Sequence, residues 1–139
     1  MTSDKWLFCH QNQRELDVIA HTTLHVSNYE KSKVFYKRAL APLGYTNNME
    51  EGEAAGFNDG KNTDFWIVRE HTMVPTHVAF EAKSKQEVEA FYDAALAAGA
   101  TDNGRPGYRD YWPGYYAAFV YDPDGHNIEA VWYDYSKVG

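Results

Sequence analysis

The sequence has little of what marks secreted, membrane-spanning or nucleic-acid-binding proteins. Cys9 is its single cysteine, so no intrachain disulfide can form, and we expect a reducing, cytoplasmic location. The N-terminus lacks the apolar core of a secretion signal, and no apolar run approaches the roughly 20 residues that span a bilayer. Lysine and arginine number 13 against 20 aspartates and glutamates, giving a net charge of −7. We therefore expect neither a membrane nor nucleic acid as a partner.

Aromatic side chains, in contrast, are plentiful: they make up 16% of the chain and include 11 tyrosines. Tyrosine suits a pocket that is both apolar and able to donate hydrogen bonds, although tyrosines also fill cores and surfaces. The 139 residues suffice for one domain, or for two half-domains that share a core. Residues 1–16 show no clear period, so we interpret them as an N-terminal arm before a domain over residues 17–139.

The chain repeats itself. Residues 21–44 fall without a gap on residues 77–100 after a shift of 56 positions, and His21 then coincides with His77. Each copy reads as a short strand, a polar turn and an amphipathic helix, and further strand patterns with turn signals follow. A fold made of two copies of one unit tends to pair them about a pseudo-twofold axis.

We therefore predict an α+β fold with two βαβββ modules, over residues 17–70 and 75–135, whose mixed sheets curl into a cup. After the second helix, residues 103–114 are rich in glycine, proline and tyrosine and indicate a loop. Within it we interpret residues 105–116 as a candidate lid or specificity loop.

Strand parity predicts a metal site in the cup. Because neighbouring side chains alternate across a strand, His21 and His77 fall on the face opposite the apolar, helix-facing residues. Glu129 in the last strand falls on the same concave face. Two imidazoles and one carboxylate form a facial set that leaves open positions for substrate or water. A lone strand histidine is more often structural, but the symmetric placement favours the metal interpretation.

The aromatic residues near this set are candidates for substrate binding. By parity Tyr115 and Phe119 line the cup beside Glu129, and Tyr111 and Trp112 in the loop supply flat contact area. The alternative for each ring is that it simply packs the loop.

Three stretches, residues 21–36, 77–92 and 122–131 (DPDGHNIEAV), resemble the vicinal oxygen chelate superfamily. That group includes glyoxalase I, fosfomycin-resistance transferases, extradiol dioxygenases and bleomycin-resistance proteins. Its members place two βαβββ modules edge to edge and bind a divalent ion in the resulting cup. The resemblance implies zinc, nickel, manganese or ferrous iron as cofactor, held by His21, His77 and Glu129.

The sequence departs from glyoxalase I at one ligand position. Glyoxalase I carries a fourth ligand, a glutamate, where this sequence has Trp66, so the resemblance implies a three-ligand site with Trp66 as an apolar wall. Thr23 matches a threonine two residues after the first histidine of the fosfomycin transferases, and with Glu129 it is our catalytic candidate. Phe119, however, stands where that resemblance implies a tyrosine.

Three functions stay open. The first is a glyoxalase-like enzyme whose metal ion assists lyase, isomerase or transferase chemistry on a small oxygen-rich substrate. The second is an Fe(II) extradiol dioxygenase, for which His25 is the only weak acid–base candidate. The third is a metal-free drug-binding protein of the bleomycin-resistance type, against which the intact ligand set counts. We expect a homodimer, and the cup can close within one chain or between two swapped chains.

Overall fold

A computed structural model of the chain describes residues 18–139, which form two successive βαβββ modules. The N-terminal arm over residues 1–16 lies outside the described residues. The first module comprises β1 (Thr22–Val26), α1 (Tyr29–Ala39), β2 (Thr46–Glu51), β3 (Ala54–Asn58) and β4 (Thr63–Arg69). The second comprises β5 (His77–Glu81), α2 (Lys85–Ala97), β6 (Thr101–Arg109), β7 (Tyr115–Tyr121) and β8 (Asn127–Tyr133).

Each module forms its own four-stranded mixed sheet. The strand orders are β1-β4-β3-β2 and β5-β8-β7-β6. In both sheets the first strand pairs in parallel with the last strand of its module, and the other pairs are antiparallel. The identical orders confirm the α+β prediction of two repeated modules. Neither helix within residues 18–139 is long and apolar enough to cross a bilayer.

The two helices begin at equivalent positions but end differently. Asn28 and Ser84, 56 positions apart, each accept a backbone N–H of the first turn and so cap their helices. Pro42, which has no N–H to donate, follows the end of α1 within a short 3₁₀ helix, Ala41–Leu43. α2 has no such proline and runs on to Ala97.

One apolar core joins the modules. The rings of Phe65 on β4 and Phe80 on β5 meet edge to face with centroids 5.0 Å apart, and Tyr45 packs on Phe80 at 5.4 Å. The core continues through both helices and both sheets. Among the described strands no backbone pairing joins the two sheets. The modules are therefore held together by side-chain packing rather than by a shared sheet.

The turn before β8 adds a polar link between the modules. The buried Asp122 carboxylate accepts the backbone N–H groups of Asp124 and His126 and the hydroxyl of Tyr36 on α1. Burial raises the pKa of Asp122, and the donated hydrogen bonds oppose that rise. The DPDGH segment therefore serves the fold of this chain by tying the second sheet to the first helix.

The segment predicted as a loop over residues 103–114 is a strand up to Arg109, which corrects that prediction and confines the irregular part to residues 110–114. Pro106 is tolerated because β6 is an edge strand of its sheet. Register shifts on both sides of Gly104 absorb the irregular backbone.

Candidate metal centre

The strand faces follow the predicted parity. On β1 the buried Leu24 and Val26 alternate with the exposed Thr23 and His25. On β5 the buried Phe80 lies between exposed positions in the same way. The histidine-bearing face of each sheet is therefore the one turned away from the helices.

His77 and Glu129 come together on this face of the second sheet. β5 and β8 pair in parallel, with His77 opposite Asn127 and Ala79 opposite Glu129. The imidazole Nε2 of His77 lies 3.1 Å from Oε1 of Glu129. The Glu129 side chain is 3% exposed and that of His77 49% exposed. A buried carboxylate thus lies behind an imidazole that solvent can reach.

The hydrogen bonds of His77 assign its tautomer. Its Nδ1 lies 2.9 Å from the carbonyl oxygen of Asn127, which can only accept, so Nδ1 carries the proton. In the neutral ring Nε2 then presents a lone pair. A backbone carbonyl that orients a histidine in this way is the usual partner of a metal-binding imidazole.

This donor set fits a cation. In the neutral ring the lone pair of Nε2 faces the carboxylate oxygen of Glu129 at 3.1 Å, which is unfavourable unless a proton or a metal ion compensates both atoms. Two atoms that ligate one zinc ion lie at most about 4.4 Å apart, so this pair is within reach of a single divalent ion.

His21 is not gathered into the same set. It is exposed and directly precedes β1, which belongs to the other sheet. Within residues 18–139, three potential ligands do have their donor atoms within 4.8 Å of one another, but they are Asp122, Asp124 and His126. One chain therefore brings two of the three candidate ligands together.

The group of Asp122, Asp124 and His126 is engaged in other contacts. Nε2 of His126 donates to the carbonyl of His25, and its Nδ1 accepts the N–H of Thr76. The carboxylate of Asp124 accepts the backbone N–H and the hydroxyl of Ser27. Since both nitrogens of the His126 imidazole already form hydrogen bonds, we interpret this group as a polar contact that holds the two modules together.

Trp66 occupies the position that mirrors Glu129. On the first sheet, Trp66 lies opposite Thr23. On the second sheet, Glu129 lies opposite Ala79, which is the residue equivalent to Thr23 in the repeat. The Trp66 indole covers Gly56 on β3, where an added Cβ would lie 2.9 Å from the ring. The catalytic candidate Thr23 is exposed beside it on β1.

Aromatic rings surround Glu129 on the remaining sides. The Tyr115 hydroxyl donates a hydrogen bond to Oε2 of Glu129, and burial and this contact raise the pKa of Tyr115. Phe119, the register partner of Glu129, stacks on His77 with centroids 6.4 Å apart. Tyr111 contacts the ring of Tyr115 at 5.3 Å.

Trp112 adds a further ring to this aromatic surface. Its indole meets the rings of Tyr133 and Tyr135 edge to face, at 5.7 and 5.9 Å. Tyr111 and Trp112 are 70% and 40% exposed, so both retain contact area for a ligand.

A separate cleft of about 640 Å³ lies between the modules. Its wall is apolar around Phe65 and Phe80, and Lys61 and Lys83 are among the charged residues at its lining. Ala79 and Glu81 of β5 border it, but His77 and Glu129 do not. The cleft is therefore not the place where the candidate ligands meet.

Comparison with known proteins agrees with this architecture. Residues 18–130 match the family described as the Glyoxalase/Bleomycin resistance protein/Dioxygenase superfamily. The uncharacterized protein YqjT of Bacillus subtilis is 30% identical over 129 residues, which cover 80% of this chain and 95% of YqjT.

Solved structures show the same fold. A glyoxalase/bleomycin resistance protein from Albidiferax ferrireducens has a TM-score of 0.71 at 26% identity, over 84% of this chain and 98% of that one. A glyoxalase/bleomycin resistance protein/dioxygenase family enzyme from Burkholderia phytofirmans has a TM-score of 0.66 at 17% identity, over 83% and 98%. The chain belongs to the glyoxalase/bleomycin resistance/dioxygenase superfamily, that is, to the vicinal oxygen chelate proteins.

Proposed function

We propose that this protein is a metal-dependent enzyme whose ion is held by His77 and Glu129 of one chain and His21 of a second copy. The observation that carries the proposal is the approach of His77 Nε2 to within 3.1 Å of the buried carboxylate of Glu129, with Nδ1 oriented by the carbonyl of Asn127. Zinc, nickel, manganese and ferrous iron all suit such an N,O donor set.

The residues around the pair have separate tasks. The bound ion would act as a Lewis acid on an oxygen of a small oxygen-rich substrate, in lyase, isomerase or transferase chemistry. Glu129 and His77 hold their donor atoms on the sheet face turned away from the helices. The Asn127 carbonyl orients the His77 ring and Phe119 stacks beside it. Tyr111 and Trp112 offer exposed aromatic surface for the substrate.

In this proposal the second copy supplies His21, the candidate ligand that one chain does not bring to His77 and Glu129. His21 is exposed and directly precedes β1, the edge strand of the first sheet. On the second sheet, the half-exposed His77 side chain leaves the Glu129 site open to solvent. In a twofold dimer, the first sheet of each chain would cover the second sheet of the other. His21 of each chain would then reach the His77–Glu129 pair of its partner, which gives two equivalent sites per dimer. Thr23 and Trp66, on the same face as His21, would then complete the cup as catalytic and substrate-binding residues.

Metal analysis tests this proposal. Protein purified without chelators is expected to carry about one transition-metal ion per chain, and His77→Ala and Glu129→Gln are each expected to abolish stoichiometric binding. His71→Ala is the matched control, because His71 is an exposed histidine in the connection between the modules. Wild-type protein that takes up no ion from added Zn²⁺, Ni²⁺, Mn²⁺ or Fe²⁺ would contradict the proposal.

A metal-free binding protein is the second candidate, and one observation favours it. Both oxygens of Glu129 already have contacts, one with His77 and one with Tyr115. If His77 is protonated, this arrangement is satisfied without an ion, and the aromatic surface alone would bind a flat ligand. An aromatic ligand that binds wild type and His77→Ala equally well, with no metal in either protein, would support this function over the first.

A further inference from the structure

We infer that Tyr115 is a positioning residue for the metal centre: its hydroxyl holds Oε2 of Glu129 so that the carboxylate offers Oε1 alone to the ion. This inference rests on the proposed metal site, because it describes how one of its ligands is held. The observation behind it is the hydrogen bond from the Tyr115 hydroxyl to Oε2, on the side of the carboxylate away from His77.

The strand geometry shows how a distant residue reaches this carboxylate. In the pairing of β7 with β8, Glu129 lies opposite Phe119 and Tyr115 lies opposite Tyr133. Four residues along a strand correspond to about 13 Å, so Tyr115 must lean along the sheet to reach Glu129. Ala117, the residue between them on the same face, is small enough to leave this path open.

Two neighbouring rings fix the direction of the Tyr115 side chain. The Tyr111 ring meets it edge to face at 5.3 Å, and the Tyr133 ring does so at 5.6 Å from β8. A phenol braced in this way keeps its hydroxyl in place whether or not an ion is present. The donor is thus preorganised, which is the property that makes an outer partner of a metal ligand effective.

No other described side chain takes over this task. Phe119, the register partner of Glu129, has no hydrogen-bond donor on its ring. Within residues 18–139, the polar contacts of the Glu129 carboxylate are those with Tyr115 and His77. Removing the Tyr115 hydroxyl would therefore free Oε2 and let the carboxylate rotate or ligate with both oxygens.

The experiment compares Co²⁺ binding to the wild type, Tyr115→Phe and the control Tyr121→Phe. The control removes a hydroxyl from an exposed tyrosine at the other end of β7, which has no part in the site. Titration with Co²⁺ alone gives the dissociation constant, and the visible d–d bands report how many donors surround the ion. We expect Tyr115→Phe to weaken binding by about 10- to 100-fold. Its d–d bands should also shift and change in intensity, whereas the control should match the wild type.

The outcomes separate this inference from the proposed function. If the wild type binds no Co²⁺, the metal site itself is wrong, and the role of Tyr115 falls with it. If the wild type binds Co²⁺ and Tyr115→Phe binds equally well or more tightly with unchanged d–d bands, the metal site stands and the inference is overturned. The spectrum guards against a trivial loss of fold, because a merely less stable protein would keep the same bands for its folded fraction.

Discussion

Raising the pH above 10 should destabilise this protein through its tyrosines. Within the described residues 18–139, seven of the 11 tyrosine hydroxyls donate to carboxylates. The pairs are Tyr29–Glu50, Tyr36–Asp122, Tyr45–Asp64, Tyr92–Asp102, Tyr108–Asp134, Tyr115–Glu129 and Tyr116–Glu89. A phenolate beside a carboxylate is repelled, and the hydrogen bond is lost on ionisation. The folded state therefore resists deprotonation of these side chains, and the unfolded chain does not.

The size of the effect follows from the best-defined pairs. Burial, then the hydrogen bond to the carboxylate, raises the pKa of Tyr29 and of Tyr116 from 10.0 to about 12. Such a rise corresponds to about 2.7 kcal/mol per residue, which we reduce to about 1 kcal/mol because water reaches these part-buried hydroxyls. Since the folded pKa is the higher one, this stability is complete below pH 10. It is lost as the pH rises from 10 towards 12.

Urea denaturation at pH 8, 10 and 11, followed by circular dichroism, measures this loss. The two tyrosines together should lower the free energy of unfolding by up to about 2 kcal/mol as the pH approaches 12, and the fully buried Tyr36 should add to it. Tyr29→Phe should flatten the pH dependence, whereas Tyr121→Phe, at an exposed position, should not. A free energy of unfolding that stays constant from pH 8 to 11, while all phenols ionise near pH 10, would refute the reasoning.

Two further predictions concern stability. Ser32 is fully buried with no hydrogen-bond partner for its Oγ among the described residues, and Val88 occupies the equivalent place in the second module. Ser32→Ala should therefore stabilise the protein by about 1 kcal/mol in urea denaturation, and a destabilised variant would contradict this. Gly114 has φ = 83°, and a Cβ there would lie 2.1 Å from the Asp134 carbonyl oxygen. Gly114→Ala should cost more than about 3 kcal/mol. Gly52→Ala, with φ = 58° and open space around it, should cost only about 1 kcal/mol, and equal costs would show that the close contact is not decisive.

The repeat explains how much of the fold could be predicted. The shift of 56 positions predicts the equivalent helix starts at Tyr29 and Lys85, and the turn signals after each helix indicate the later strands of each module. β6 was missed because its glycines and Pro106 are typical of a loop. Only its place at the edge of the sheet makes a proline acceptable there, and edge position is a tertiary property that local sequence does not encode.

The candidate site shows a similar limit. Parity predicts the face of each histidine, and the pairing of β5 with β8 places His77 beside Glu129. Strand parity gives no information on the distance between the two sheets, however. It therefore could not show that His21 lies apart from His77 and Glu129. The contact of Tyr115 with Glu129 was also missed, because it runs diagonally across the sheet and not between register partners.

Metal binding by a mixture of two variants tests the central claim most directly. Neither His21→Ala nor His77→Ala should bind an ion alone. If the site takes His21 from one chain and His77 with Glu129 from another, each mixed dimer regains one of its two sites. An equimolar mixture, unfolded and refolded together, should then bind about a quarter of the wild-type amount. A mixture that binds no more metal than its separate components, or a His21→Ala variant that keeps full affinity, would contradict the account.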